Sequence, residues 1–128
     1  MKLLLDTHIW LWYSLGDERL PEEMMRAIAS PSNTLYISPM SLWETVLLTE
    51  KGKLNLPPDP YIWIDFNLKM LGAQEVPINR AVATLSRQLF CPSQNMVDRL
   101  IAATAVHYDL TLLTVDPGLM DTPSLQLF

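Results

Sequence analysis

The sequence predicts an α/β fold built on a mostly parallel central sheet, and two observations support this class. Short apolar runs typical of buried strands alternate with longer stretches of helical character. In the first run, Lys2–Leu5 (KLLL), three leucines follow one another, as in strands that are covered on both faces. The chain has 128 residues, enough for one sizeable core, so we expect a single domain over residues 1–128.

The elements after the first strand are placed by helix breakers and by proline. Ile9–Leu15 is expected to form a short helix, which Gly16 ends. Pro21–Ala29 is expected to be helical because its proline suits a first turn and acidic residues follow it. The apolar run Leu35–Ser38 (LYIS) predicts the second strand.

The middle of the chain carries a capping signal and a proline-rich loop. Ser38 can cap a helix over Pro39–Thr49, with proline in its first turn. Lys51–Pro60 (KGKLNLPPDP) predicts a loop. Tyr61–Leu71 is expected to form the next helix, which Gly72 stops.

The last third alternates in the same way. Asn79 can cap a helix that runs to about Phe90, and Ser93 can cap a helix over Asn95–His107. Apolar or extended runs predict strands at Glu75–Ile78, Leu110–Thr114 and Leu125–Phe128.

The composition describes an ordered protein without features of export. The chain is 49% hydrophobic and 18% charged, which excludes a mostly disordered chain. The single Cys91 cannot form an internal disulfide, and the N-terminal apolar run is too short for a signal peptide. No stretch approaches the roughly 18 apolar residues of a membrane span. We therefore expect a cytoplasmic protein with no membrane partner.

The net charge limits how the chain can meet nucleic acid. It is −5, from 14 acidic and 9 basic residues. Modules that bind DNA through overall charge are usually basic, so this value counts against such a module. It counts less against an enzyme whose bound cations meet phosphate.

Four acidic residues lie at the edges of apolar elements. Asp6 follows the first strand, and Asp116 follows the strand LTLLT. Asp98 lies in the first turns of its helix, and Glu44 lies in the helix after the second strand. Because strand ends and helix starts of a parallel sheet converge on one crevice, these side chains are expected to meet there.

A cluster of four carboxylates predicts a metal site. The charges would repel one another unless a cation or protons neutralised them, and hard oxygen ligands suit Mg²⁺ or Mn²⁺. Such an ion supports phosphodiester hydrolysis. Each acid taken alone also fits a helix cap, a loop ligand or a solvated charge, and Asp116 before Pro117 could simply open a turn.

Four segments in order, LLLDTHIWLW, ISPMSLWE, VDRLIAATA and LLTVD, resemble PIN-domain proteins, and more closely the VapC-type toxins of toxin–antitoxin pairs. The resemblance implies an α/β/α sandwich and an endoribonuclease that depends on Mg²⁺ or Mn²⁺. It also implies an RNA substrate, a cognate antitoxin in the active-site groove and commonly a homodimer. By position, Asp6, Glu44, Asp98 and Asp116 match the acidic quartet of that family.

Three neighbours of the quartet are candidates for supporting roles. Thr7 matches a small hydroxyl residue that would orient Asp6. Arg99, next to Asp98, is a candidate for ion pairing in the acidic site or for phosphate contact. Asn95 stands where many relatives have a further aspartate, because the chain has NMVDR in place of DPxDR. The missing charge is expected to weaken a second metal position.

Other side chains have more ordinary interpretations. His8 is expected to support the site or the fold, although it could act as a general base. Packing in the core or at its rim is the expected role of three tryptophans, Trp10, Trp12 and Trp43, although an aromatic at the groove could stack on a base. Tyr61, Trp63 and Phe66 suggest the apolar face of a helix, a candidate surface for a second copy or the antitoxin.

Two alternatives to the ribonuclease remain open. The first is a PIN-fold binding module with little or no catalysis, motivated by the NMVDR segment, which predicts weak metal affinity. The second is a Mg²⁺-dependent phosphatase for small molecules. Against the phosphatase, the first strand ends in DTH, without the second aspartate two residues on that haloacid-dehalogenase-like phosphatases carry.

Overall fold

The computed structural model describes residues 1–56 and 59–128. Within these residues, five parallel strands form one sheet in the order β3-β2-β1-β4-β5. The strands are β1 Lys2–Leu5, β2 Thr34–Ile37, β3 Gln74–Glu75, β4 Thr111–Leu113 and β5 Gln126–Leu127. The helices are α1 Thr7–Leu15, α2 Glu22–Ala29, α3 Pro39–Glu50, α4 Pro60–Leu71, α5 Arg80–Gln88, α6 Met96–His107 and α7 Pro117–Met120.

The central strand β1 has a core on each of its faces. Leu3 and Leu5 are fully buried among side chains of α1 to α4, whereas Leu4 is buried among side chains of α5 and α6. Successive strand residues point to opposite faces, so the run of leucines supplies both cores. The expected α/β/α sandwich is thereby confirmed.

The sheet topology opens a crevice beside the central strand. The chain leaves β1 toward β2 on one side, and β4 pairs with β1 on the other side. In such sheets, the carboxyl ends of the strands around this change of direction face the crevice. Residues that follow β1, β2 and β4 therefore lie at one edge of the sheet.

Most expected elements are present with ends shifted by one or two residues. The expected caps Ser38 and Asn79 each accept a hydrogen bond from the first turn of their helix. Gly16 and Gly72 end α1 and α4 in the left-handed conformation that favours glycine. The expected strand at Glu75–Ile78 is shorter and earlier, as β3.

One expected helix cap is wrong, one helix was not expected, and one expected loop lies partly outside the described residues. Asn95, not Ser93, caps α6: its Oδ1 accepts from the backbone N–H groups of Val97 and Asp98. The short helix α7 was not expected, because Pro117-Gly118 is typical of a turn. The expected loop Lys51–Pro60 includes two prolines, 57 and 58, that lie outside the described residues, and Pro60 already belongs to α4.

No helix in the described ranges has the length and apolar character needed to cross a membrane.

Candidate active site

Asp6 stands at the end of the central strand and caps the helix that follows. Its backbone N–H donates to the carbonyl of Leu113 in β4, 3.1 Å away. Its Oδ1 accepts from the backbone N–H of Thr7 at 2.8 Å, and its Oδ2 accepts from the hydroxyl of Thr114 at 2.7 Å. Only 6% of the residue is exposed. Both carboxylate oxygens are therefore held in fixed positions at the mouth of the crevice.

The environment of Asp6 opposes its ionised form. Burial is the largest influence and raises its pKa from 3.8 to about 6, and Asp98 raises it further, against the hydrogen bonds from Thr114 and Thr7 and the nearby His8. A buried carboxylate that stays ionised at neutral pH carries an energetic cost. A cation beside Asp6 would remove that cost.

Asp98 links the four acids electrostatically. It lies in the first turn of α6, and its Oδ2 accepts a 2.8 Å hydrogen bond from the hydroxyl of Ser93. Its pKa is raised first by burial and then by the charges of Asp116 and Glu44, while Ser93 and His8 lower it. Asp98 in turn raises the pKa of Asp6. All four predicted acids therefore lie within one electrostatic neighbourhood.

Asp116 is positioned by α7 and by the end of β4. Its Oδ2 accepts from the backbone N–H of Leu119 at 3.1 Å, and its own N–H donates to the hydroxyl of Thr114 at 3.0 Å. Thr114 thus connects Asp116 to Asp6. A Cβ at Gly118 would lie 3.0 Å from Cβ of Ser93 and 3.2 Å from Oδ2 of Asp116, so glycine permits this close approach.

Glu44 enters the crevice from α3, the helix that follows β2, and it is partly buried. The hydroxyl of Ser41, one turn earlier, accepts a 2.9 Å hydrogen bond from the hydroxyl of Thr7 in α1. Both hydroxyl side chains are fully buried. This contact fixes α3, the helix that carries Glu44, against α1.

Two of the acids line an open cavity of about 300 Å³. Its walls combine acidic, basic and aromatic side chains: Asp6, His8, Trp12, Arg19, Val115, Asp116 and Pro117. His8 is exposed there, and it lowers the pKa of both Asp6 and Asp98. The acidic centre is therefore accessible to a polar solute and is not closed inside the core.

The four acids offer oxygen ligands for a metal ion, but their side chains do not surround one metal position. Within residues 1–56 and 59–128, no group of three or more His, Cys, Asp or Glu side chains is arranged to hold a metal ion. The donor chemistry nevertheless fits a hard cation, because all four candidates are carboxylates and two have raised pKa values. Mg²⁺ often binds through one or two carboxylates and retains several waters, which an open cleft accommodates.

The three expected supporting residues differ in how they relate to the acids. The backbone of Thr7 contacts Asp6, but its hydroxyl donates to Ser41. The side-chain oxygen of Asn95 is used for capping α6, and the residue is exposed. An amide at this position therefore has a structural function that a carboxylate could also perform.

Arg99 neither pairs with the acids nor faces a phosphate site. It is only 8% exposed, and its guanidinium donates to main-chain carbonyls in the last turn of α5 and in the segment between α5 and α6. These belong to Ser86, Leu89, Cys91 and Ser93. Arg99 thus holds the backbone that presents Ser93 to Asp98. The prediction of ion pairing or phosphate contact was wrong.

Two residues of the site were not recognised from the sequence. Thr114 orients Asp6, and Ser93, which was expected only as a helix cap, donates to Asp98. The sequence marks Thr114 only as a hydroxyl residue two positions before an acid at the end of an apolar strand, which does not identify Asp6 as its partner. No comparable signal marks Ser93, because its contact depends on the path of the loop before α6.

Of the three aromatic side chains on α4 that were expected to form one apolar surface, one packs inward and two are exposed. Trp63 packs inward, with its ring centroid 5.6 Å from that of Trp10. Tyr61 and Phe66 remain 63% and 65% exposed. Of the three tryptophans expected in the core or at its rim, Trp10 is fully buried, whereas Trp12 is partly buried and borders the cavity of the acidic site.

Known structures share this architecture. A chain of the VapBC2 complex from Rickettsia felis, bound to a DNA fragment from its promoter, superimposes with a TM-score of 0.70 at 18% identity. The match covers 100% of this chain and 98% of that one. A chain of FitAcB from Neisseria gonorrhoeae gives 0.67 at 21% identity, with 98% and 96% covered. VapBC-1 from nontypeable Haemophilus influenzae gives 0.64 at 22% identity, with 100% and 97% covered.

None of the curated proteins compared with the chain matches it. The family model of the PIN domain, in contrast, matches residues 3–124, which include the four acids and all the strands except β5 and the start of β1. The chain belongs to the PIN domain family.

Proposed function

We propose that the protein is a metal-dependent endoribonuclease whose centre consists of Asp6, Glu44, Asp98 and Asp116. The observation that carries this proposal is the meeting of these acids at one edge of the sheet: Asp6 and Asp116 line one open cavity and share the hydroxyl of Thr114. Asp98 lies near enough to raise the pKa of Asp6, and Glu44 near enough to raise that of Asp98. Such a concentration of negative charge at an open cavity is costly without a cation. Membership of the PIN domain family supports nuclease chemistry at this position.

The four carboxylates would hold Mg²⁺ or Mn²⁺. When bound, such an ion supplies a more acidic water and charge stabilisation for a phosphodiester in hydrolysis. The chain contributes orientation: Thr114 and the backbone of Thr7 hold Asp6, and Ser93 holds Asp98. Because the carboxylates of Asp6 and Asp98 are already held in place, they would lose little conformational freedom when a metal ion binds.

We further propose that the protein is the toxin of a toxin–antitoxin pair, with an antitoxin as partner and a second copy as dimer mate. The support for the antitoxin is the likeness of the fold to chains of the VapBC and FitAcB complexes. The second copy follows from the resemblance of the sequence to VapC-type toxins. The exposed Tyr61 and Phe66 on α4 are compatible with a protein partner. Both RNA and antitoxin would be met in the cytoplasm, the compartment expected from the sequence.

A substrate panel tests the reaction class. The purified, antitoxin-free protein is incubated with a mixed RNA pool, single-stranded DNA and a small phosphate ester, each with Mg²⁺, Mn²⁺ or EDTA. The ribonuclease predicts cleavage of RNA that requires a metal ion. Hydrolysis of the ester without RNA cleavage would favour the phosphatase instead.

A PIN-fold binding module is the second candidate, and one observation favours it. In the described parts of the chain, no three ligating side chains are arranged around a metal position. The binding module predicts that well-folded protein cleaves none of the substrates at any concentration of metal. Asn95→Asp, which restores the charge found in many relatives, would then be the next variant.

A further inference from the structure

The four carboxylates of the acidic site repel the phosphate groups of RNA, so a bound RNA strand needs positively charged contacts nearby. The cavity that contains Asp6 and Asp116 is also lined by Arg19. A neighbouring cavity of about 300 Å³ shares His8, Trp12 and Arg19 with it and extends to Lys53. A surface that carries Arg19 and Lys53 therefore leads away from the acidic site, and Asp17, the partner of Arg19, also lies on it.

Arg19 is held in place by two neighbours. Its Nε and Nη2 donate to the two carboxylate oxygens of Asp17 at 3.1 and 2.7 Å. Its guanidinium carbon lies 5.0 Å from the ring centroid of Trp12, within the range of a cation–π contact. The hydrogen bonds from Arg19 lower the pKa of Asp17 to about 2, so this partner stays ionised at any working pH.

The held guanidinium still has capacity for a ligand. The Arg19 side chain is 69% exposed. Asp17 and the Trp12 ring occupy one edge and one face, and in the described residues Nη1 has no acceptor. A planar, oriented arginine with open donors suits a phosphate group, because little further freedom is lost on binding.

We propose that Arg19 binds a backbone phosphate of a single-stranded RNA substrate beside the acidic site, and that Lys53 contacts the strand further along. This inference rests on the proposed ribonuclease function and deepens it. Asp17 and Trp12 act as positioning residues that orient Arg19. The strand would cross the cavity at Asp6 and Asp116 and continue over the surface shared by His8 and Arg19 toward Lys53.

The chain offers matched controls for both basic residues. Arg26 is also exposed and paired with an acid, through a 2.9 Å contact from Nη1 to Oε1 of Glu22, but it lies on α2 and lines neither cavity. Lys51 is exposed and only two residues from Lys53, and it also lines neither cavity. Each control removes the same charge at a similar exposure.

The first experiment measures steady-state cleavage of an unstructured RNA at several salt concentrations. Arg19→Ala is expected to raise KM about tenfold, the loss typical of one hydrogen-bonded charged contact, while kcat stays within about threefold. The slope of log KM against log salt should fall by about 0.7, as for one lost phosphate contact to a single strand. Lys53→Ala should lower the slope in the same direction, and Arg26→Ala and Lys51→Ala should leave it unchanged.

The positioning residues have their own signature. Asp17→Asn and Trp12→Leu should raise KM less than Arg19→Ala does. Adding Arg19→Ala to either variant should then raise KM by a smaller factor than it does in the wild-type protein, because the guanidinium is already misplaced. Additive effects would contradict the positioning role.

The second experiment measures binding without cleavage. Fluorescently labelled RNA is titrated with the Asp6→Asn protein, with and without Arg19→Ala, and binding is followed by anisotropy. Weaker binding with the lower salt slope supports the contact. Equal affinity and slope overturn it, as does an Arg19→Ala KM that matches that of Arg26→Ala.

These outcomes separate the inference from the proposed function. If the wild-type protein cleaves RNA and Arg19→Ala behaves like Arg26→Ala, the phosphate contact is wrong and the ribonuclease stands. If the wild-type protein does not cleave RNA but Arg19→Ala weakens binding, the contact stands and the ribonuclease is wrong.

Discussion

The hydroxyl of Thr114 donates a 2.7 Å hydrogen bond to Oδ2 of Asp6, although the two residues are 108 positions apart in the chain. Parallel pairing of β4 with β1 brings them together, because both residues directly follow their strands. The same hydroxyl accepts the N–H of Asp116 at 3.0 Å. One buried threonine thus fixes the relation between two acids of the site.

Removal of this hydroxyl is expected to reduce activity more than it reduces stability. Thr114→Val should slow RNA cleavage by about 10- to 100-fold, the usual effect of losing a group that orients a metal ligand. Thr114→Ser keeps the hydroxyl and should restore most of the rate. Thr104→Val, which deletes another buried hydroxyl that donates to a helix carbonyl, is the control and should keep the wild-type rate. A Thr114→Val enzyme of normal rate would contradict the orienting role.

Loss of the Ser93 hydroxyl should make Asp98 harder to ionise. The hydrogen bond from Ser93 lowers the pKa of Asp98, so Ser93→Ala should raise that pKa beyond its already elevated value. Carboxyl NMR titration of the metal-free protein measures the shift. Ser86→Ala removes a hydroxyl that donates to Ala83 at 2.6 Å and should leave Asp98 unaffected. A lower or unchanged midpoint in Ser93→Ala would contradict the assignment.

Asp6 should make metal-free protein less stable as the pH rises. Its pKa is 3.8 in the unfolded chain and about 6 in the folded protein, so the folded state binds the extra proton between these values. Stability is therefore lost as the pH rises from about 4 to above 6. In EDTA at pH 7.5, the free energy of unfolding of the Asp6→Asn protein should be higher than that of the wild-type protein by up to about 3 kcal/mol.

Urea denaturation at several pH values measures this difference. It should disappear below about pH 4, where Asp6 is protonated in both states. Mg²⁺ should stabilise the wild-type protein but stabilise Asp6→Asn much less. An Asp6→Asn protein that is less stable than the wild type at pH 7.5 in EDTA would show that burial of the charge is not the dominant effect.

Arg99 should be a residue of stability and not of substrate binding. Arg99→Met would remove the guanidinium donors from buried carbonyls at the end of α5 and in the segment before α6, at a cost of about 3 kcal/mol in the free energy of unfolding. Arg99→Lys should be nearly as damaging, since one ammonium cannot reach carbonyls arranged around a planar fork. Denaturant unfolding checks both variants. A normal stability with a reduced salt slope of KM would instead indicate a phosphate contact.

The positions of the four acids were predictable because they depend on local signals. Asp6 and Asp116 follow apolar strands, and parallel strands end at the same edge of a sheet. Each also caps a helix, so the ordinary interpretation of these acids as helix caps applies, and it is compatible with the proposed metal site. Their connection through Thr114 was not predictable, since it depends on the register of β4 against β1.

Arg99 illustrates why adjacency in sequence misleads on a helix. Consecutive helical residues point about 100° apart, so Asp98 and Arg99 cannot face the same side. Asp98 faces the crevice, whereas Arg99 faces the segment after α5. Sequence alone does not say which of the two faces the acids, because that depends on how α6 packs against its neighbours.

The most direct test of the acidic centre is cleavage of a mixed RNA pool by the wild-type protein and by Asp6→Asn, each with Mg²⁺ and with EDTA. Asp65→Asn, which removes an exposed acid on α4, serves as the control. The ribonuclease predicts cleavage by the wild-type and control proteins with Mg²⁺, none in EDTA, and a loss of activity in Asp6→Asn. Equal cleavage by Asp6→Asn, or cleavage that persists in EDTA, would contradict a metal-dependent centre at Asp6.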